Sequence, residues 1–172
     1  MFRMTIFQAD DRNSQEWKLQ LKTIGRYYTR REDIPVVHMR HIIPGPDAPF
    51  FAGNSKGSEI NNCVEPQNEE RVIVKHFPSA FRETDLNGRL KDLDVNSLMI
   101  CGSMSHMCVD TTVRAAFDLG YQCRVSSDAC ATRDLTHNDR LIRAADVHDA
   151  FMAALSSPFA RVMTTDEMLQ SN

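Results

Sequence analysis

At 172 residues, the chain is long enough for one domain with a full core and too short for two. Its 20 basic and 23 acidic residues leave a net charge of −3, and without a basic cluster interleaved with aromatics nucleic acid is not an expected partner. No apolar run approaches a membrane span and the first residues lack a signal-peptide pattern, so the expectation is a soluble, cytoplasmic protein.

The five cysteines, Cys63, Cys101, Cys108, Cys123 and Cys130, are odd in number and form no CxxC pair. That usage points to reduced thiols and away from a disulfide framework or a structural zinc site.

In chain order, Met4 to Phe7 reads as a short edge strand with little apolar support. From Ser14 the pattern is helical, with Trp17, Leu21, Ile24 and Tyr28 at three- and four-residue steps, and it must stop before Pro35. Val36 to His41 follows as a strand. Residues 44–57, rich in proline and glycine, form a loop carrying Phe50 and Phe51, either a lid or subunit contact or a pin onto the core. A short helical piece runs from Ser58 to before Pro66, and Arg71 to Lys75 is the next strand.

After a turn from Phe77 to Phe81, Thr84 to Leu93 reads as a helix with Leu86, Leu90 and Leu93 on one face. Gln122 to Ser127 is a further strand, followed by a polar turn from Asp128 to Asp134. A helix from Ala144 to Leu155 turns Val147, Phe151, Ala154 and Leu155 inward, Arg161 to Met163 is a last strand, and Thr165 begins a final helical turn. Strands alternating with helices at this spacing predict an α/β fold, a three-layer α/β/α sandwich on a mostly parallel sheet.

The stretch from Ser97 to Gly120 carries the chemistry. It reads as a buried strand ended by Gly102 that turns into a helix, with Ser105 as N-cap and Cys108 in the first turn. Unpaired N–H groups and the helix dipole there favour a thiolate and can hold an oxyanion. Lys75, at the end of another strand, would steady that thiolate if it points at it.

These residues resemble the isochorismatase-like cysteine hydrolases over roughly residues 14–169. The motifs that carry the resemblance are Val72-Ile73-Val74-Lys75-His76-Phe77-Pro78-Ser79-Ala80-Phe81 with Thr84-Asp85-Leu86, then Ile100-Cys101-Gly102 through Cys108-Val109, and Thr112 to Tyr121. Asp128-Ala129-Cys130-Ala131-Thr132-Arg133-Asp134 completes them. The resemblance implies hydrolysis of an amide, carbamoyl or ureido carbon–nitrogen bond through a thioester on Cys108, with Lys75 beside it. It implies an oxyanion site from the backbone N–H groups of Ser105 and Cys108, Met104 and Phe77 also at the oxyanion and substrate site, a cis peptide at Met104–Ser105, no cofactor, and a homo-oligomer. Because Cys108 is present, the enol-ether isochorismatase branch is set aside. Nicotinamidases of the family hold a metal through Asp-x-His after the second strand; His38-Met39-Arg40-His41 stands there here, which implies no metal.

The family also has an aspartate at the end of its first strand, and nothing in this chain matches it. Residues 1–13 of the single domain, 1–172, therefore read as an atypical start, either truncated or lacking that strand, with Asp10 as the substitute carboxylate. Two further readings follow. One is a catalytically impaired member that binds a ligand or partner subunits without turnover. The other is a thiol redox sensor built on an activated Cys108.

Overall fold

The computed structural model describes residues 3–8, 18, 19, 23, 34–45, 47, 48, 50–67 and 70–171. The expected helix from Ser14 lies outside these, apart from helical Lys18 and Leu19. Asp10 lies outside them too.

Six strands form one parallel sheet in the order β3-β2-β1-β4-β5-β8. They are β1 (Arg3–Gln8), β2 (Val36–His41), β3 (Arg71–Lys75), β4 (Ser97–Ser103), β5 (Gln122–Ala131) and β8 (Arg161–Met163). Between β5 and β8 a separate hairpin is made by β6 (Leu135–His137) and β7 (Arg140–Ile142). The helices are α1 (Leu86–Asp92), α2 (Asp110–Asp118), α3 (Ala144–Leu155) and α4 (Thr165–Gln170). Helices and a parallel sheet give the expected α/β fold.

The first strand is a correction. It is not at an edge: β1 pairs with β2 on one side and, from Arg3↔Ser97 to Gln8↔Gly102, with β4 on the other. Two parallel neighbours supply the stabilisation that its own composition does not signal. The strand order reverses between β1 and β4, and in open α/β sheets the crevice for a ligand opens there, at the carboxyl ends of the strands.

The core follows the apolar runs. Every residue of β4 is buried, with Leu98 fully so, as continuous apolar strands between parallel neighbours must be. Leu86 and Leu90 of α1 and Leu155 of α3 are fully buried. Burial of each such leucine contributes roughly 1.5–3 kcal/mol. Gly120, with φ of 90°, closes α2, a left-handed position that a side chain would strain.

Several expectations shift. Leu93 is half-exposed because α1 ends at Asp92 and the chain leaves the helix there. On α3 Met152 is buried and Ala154 is exposed. The helical piece after Ser58 is two short 3-10 turns, Lys56–Ser58 and Asn62–Val64. The polar turn expected at Asp128 is still strand: β5 continues to Ala131 across a register shift against β4, where Ile100 pairs with Val125 but Gly102 with Cys130. The β6–β7 hairpin was not expected, and its Asn138-Asp139 pair takes positive φ at both positions, the conformation that a two-residue turn requires.

Candidate active site

Three strands deliver side chains to one point at the carboxyl edge of the sheet. The last residues of β2 and β3, His41 and Lys75, are register partners. After β4 the chain does not enter an α-helix at once: Ser105–Val109 forms a π-helical turn, and α2 begins at Asp110. Cys108 lies in that turn, 2% exposed. Ser105 is therefore not the N-cap expected of it, because no side chain caps this turn. The cis peptide is Ser103–Met104, one residue before the expected Met104–Ser105. It falls there because β4 runs through Ser103 and the turn starts at Ser105. The Met104 carbonyl accepts from the N–H groups of Met107 and Val109 at 3.1 and 3.2 Å.

Lys75 has no exposed surface. Its Nζ donates to the Pro78 carbonyl. Burial pushes the lysine pKa below its usual value, while the negative charge and hydrogen bond offered by Cys108 pull it back up. The two residues the sequence singled out thus meet: a buried amine faces a buried thiol, and each is the other's compensation for lost water.

His41 joins them, and sequence reasoning missed it. Its Nδ1 lies 3.7 Å from Cys108 Sγ, its residue is 5% exposed, and Phe51 packs against it with ring centroids 5.1 Å apart. Burial first, then the charge of Lys75, lowers the His41 pKa to about 4, so the ring is neutral at pH 7. A hydrogen bond with the His76 backbone opposes this lowering without cancelling it. The sequence signal was available in principle, since β2 and β3 both end on a polar residue and parallel pairing sets their ends side by side.

The turn that carries Cys108 is tied down from several elements. Ser105 Oγ and His148 Nδ1 of α3 hydrogen-bond at 2.8 Å, and His106 Nδ1 bonds Thr132 Oγ1 just beyond β5. The Ala80 N–H donates to Thr112 Oγ1 of α2 at 3.0 Å. Burial lowers the pKa of both His106 and His148, which keeps those rings neutral as partners. Asp128 and Asp134 of the last motif have structural partners. Asp128 Oδ1 accepts from the Thr165 N–H and hydroxyl at 2.8 and 2.7 Å, and Asp134 Oδ1 accepts from the Ala144 N–H at 2.7 Å.

The phenylalanines divide. Phe51 is buried beside His41, whereas Phe77 is half-buried beneath the Arg82 guanidinium, 3.6 Å from its ring centre. Phe81 stacks on Tyr121 at 6.0 Å. Burial raises the thiols of Cys101, Cys123 and Cys130, the latter two to about 12, so these three are poor nucleophiles. Among the described residues, no group of three His, Cys, Asp or Glu stands together as a metal site. His38 Nε2 is engaged by Glu70 at 2.9 Å.

Residues 13–167 match the isochorismatase domain family. The uncharacterized isochorismatase family protein YddQ of Bacillus subtilis (strain 168) is 49% identical over 141 residues, 82% of this chain and 78% of that protein. A streptothricin hydrolase of Streptomyces noursei is 34% identical over 133 residues, 77% of this chain but 45% of that one. Among solved structures, an isochorismatase from Pseudomonas putida KT2440 superposes with a TM-score of 0.87 at 33% identity, covering 96% of this chain and 88% of its own.

Proposed function

The chain belongs to the isochorismatase family, and from that premise we propose that it is a cysteine hydrolase that cleaves a carbon–nitrogen bond of a small amide, carbamoyl or ureido compound. Cys108 is the nucleophile. Its sulfur adds to the substrate carbonyl, the oxyanion sits against backbone N–H groups of Met104, Ser105 and Cys108, and the amine departs to leave a thioester that water resolves. Lys75 holds the negative charge that moves from sulfur to oxygen, and Phe77 lies along the substrate path. In this reading the assembly is a homo-oligomer, which size-exclusion chromatography with light scattering reads directly.

The observation that carries the reading is the burial of Lys75 against Cys108 at the switch point of the sheet. A fully buried lysine is costly to keep unless its charge has a use, and one beside a thiol has the use of holding a thiolate. A streptothricin hydrolase among the relatives agrees with hydrolysis as the class of reaction. The alternative of a member without turnover draws on the missing aspartate strand; β1 supplies a strand in that sheet but ends on Gln8 and carries no aspartate, so turnover by wild type is what decides against it.

The test is Cys108→Ala assayed on p-nitrophenyl acetate and a panel of small primary amides and ureido acids, with wild type in parallel. Wild type is expected to turn over at least one amide, and to show a mass shift of one acyl group on the Cys108 peptide after acid quench. The variant is expected to lose both with an unchanged circular dichroism spectrum. Retention of hydrolysis by the variant overturns the assignment.

A further inference from the structure

His41 has no part in the roles assigned above, yet it touches the sulfur on which they depend. We propose that His41 is a further catalytic residue, a neutral imidazole that takes the Cys108 thiol proton at Nδ1 and returns it to the departing nitrogen. The inference rests on Cys108 being the nucleophile.

The geometry carries it. His41 Nδ1 lies 3.7 Å from Cys108 Sγ, ordinary reach for a contact to sulfur in a site not yet tightened by substrate. The ring is held in place by β2, which ends on it, and by Phe51. The charged and titratable groups that face it are Lys75 from β3, His76 from the turn after β3 and Cys108 from the turn after β4. A lysine ammonium so close repels an imidazolium, so burial and Lys75 together keep His41 unprotonated and its lone pair available to the thiol. The protonated lysine has no lone pair to offer. A hydrogen bond with the His76 backbone raises the ring's pKa, but burial and the charge of Lys75 outweigh it.

The proton balance closes within the site. As the sulfur–carbon bond forms, the S–H proton passes to Nδ1 and the carbonyl π electrons move to oxygen. As the tetrahedral adduct collapses, the carbon–nitrogen bond breaks and the imidazolium proton goes to the amine. In the second half water attacks the thioester, gives one proton to Nδ1, and the acid is released as that proton returns to sulfur. Substrate and water are consumed, acid and amine are formed, and Cys108 and His41 end as they began.

The experiment is iodoacetamide alkylation of Cys108 against pH, from about 4.5 to 9, followed by peptide mass spectrometry in wild type and in His41→Asn. Asparagine keeps a hydrogen-bonding atom near the place of Nδ1 but cannot carry the proton. With His41 neutral above about pH 4 and able to take the proton as sulfur attacks, wild type is expected to keep a nearly pH-independent limb of reactivity from about pH 5 upward. His41→Asn is expected to lose that limb, labelling about tenfold or more slowly near pH 6 while approaching the wild-type rate near pH 9. An unchanged profile, or a fall by the same factor at every pH, overturns the proposal.

If His41→Asn does not fold, wild type alone decides, through nitrogen-15 shifts of its histidine rings before and after Cys108 is carboxamidomethylated. One ring with an unprotonated Nδ1 must shift and change its titration; no ring moving refutes the pair. Should Cys108 in wild type label no faster than Cys63, Cys101, Cys123 and Cys130 at any pH, the nucleophile reading itself falls, and this inference with it. Selective labelling with an indifferent His41 overturns this inference alone.

Discussion

The buried, neutral state of His41 makes folding stability depend on pH in a way that can be calculated. Its pKa drops from 6.5 to about 4 in the folded chain. Between those values the unfolded chain binds a proton that the folded chain refuses, so stability is lost as pH falls through 6.5 and the loss levels off below about 4. Two and a half units at 1.36 kcal/mol each set an upper limit of about 3 kcal/mol. That is a large part of the 5–15 kcal/mol that holds a typical domain folded. The assay is urea unfolding followed by far-ultraviolet circular dichroism between about pH 7.5 and 4.5, at fixed ionic strength, on wild type and His41→Asn. The other histidines whose pKa burial lowers, His106 and His148, titrate in both proteins and cancel in the difference. The gap in stability between the two proteins is expected to change by about 2 to 3 kcal/mol over this range, wild type losing the more. Parallel stability curves would refute the reasoning, since they would mean that His41 titrates alike folded and unfolded.

Two further substitutions test how the site is held. Lys75→Met removes a buried cation and keeps the stem that fills its place; thermal melting is expected to shift by a few degrees at most, in either direction, because the desolvation cost leaves with the charge. Cys108 labelling and turnover near pH 7 are expected to fall about a hundredfold or more. Ser105→Ala breaks the 2.8 Å bond to His148 and is expected to cost about 1 kcal/mol by urea unfolding. The same change is expected to lower kcat by more than that loss implies, since it releases the turn on which Cys108 sits.

The sequence made the strands β2, β3 and β4 legible because each is a run of apolar or branched residues bounded by proline, glycine or charge, and burial from both sheet faces demands just such runs. It hid the place of β1 because a central parallel strand is stabilised by its neighbours, here across Ile6↔Val37 and Ile6↔Ile100, and no local pattern reports a partner about ninety residues away. The hairpin at Asn138-Asp139 is signalled only by its turn residues, which polar neighbours mask. In the site, Cys108 was legible from the glycine-ended strand before it, and Lys75 from its position at a strand end. His41 was legible only as a polar strand end beside Lys75; its meaning lies in the contact with Cys108, 67 residues further on. Ser105 was read as a cap from its chemistry, whereas the competing partner was a histidine 43 residues away, and tertiary contact won over local capping.

The motif from Asp128 to Asp134 is explained by how force reaches the sulfur. Both aspartates act where helices begin. Asp134 accepts from the first N–H of α3, and a carboxylate at that point also meets the positive end of the helix dipole, worth about 1 kcal/mol in such positions. Seating α3 fixes His148; His148 holds Ser105; and Ser105 opens the turn whose fourth residue is Cys108. On the other side Asp128 fixes the start of α4 through Thr165 and so clamps the helix that packs on β5, the neighbour of β4. A nucleophile whose place beside Lys75 and His41 must be kept to a few tenths of an ångström needs its turn held by more than its own backbone, because a misplacement of about 1 Å can cost a hundredfold in rate. The two aspartates of this motif are accordingly spent on helix starts, while Thr132 bonds His106 of the turn itself, and their effect on catalysis passes through the position of Cys108.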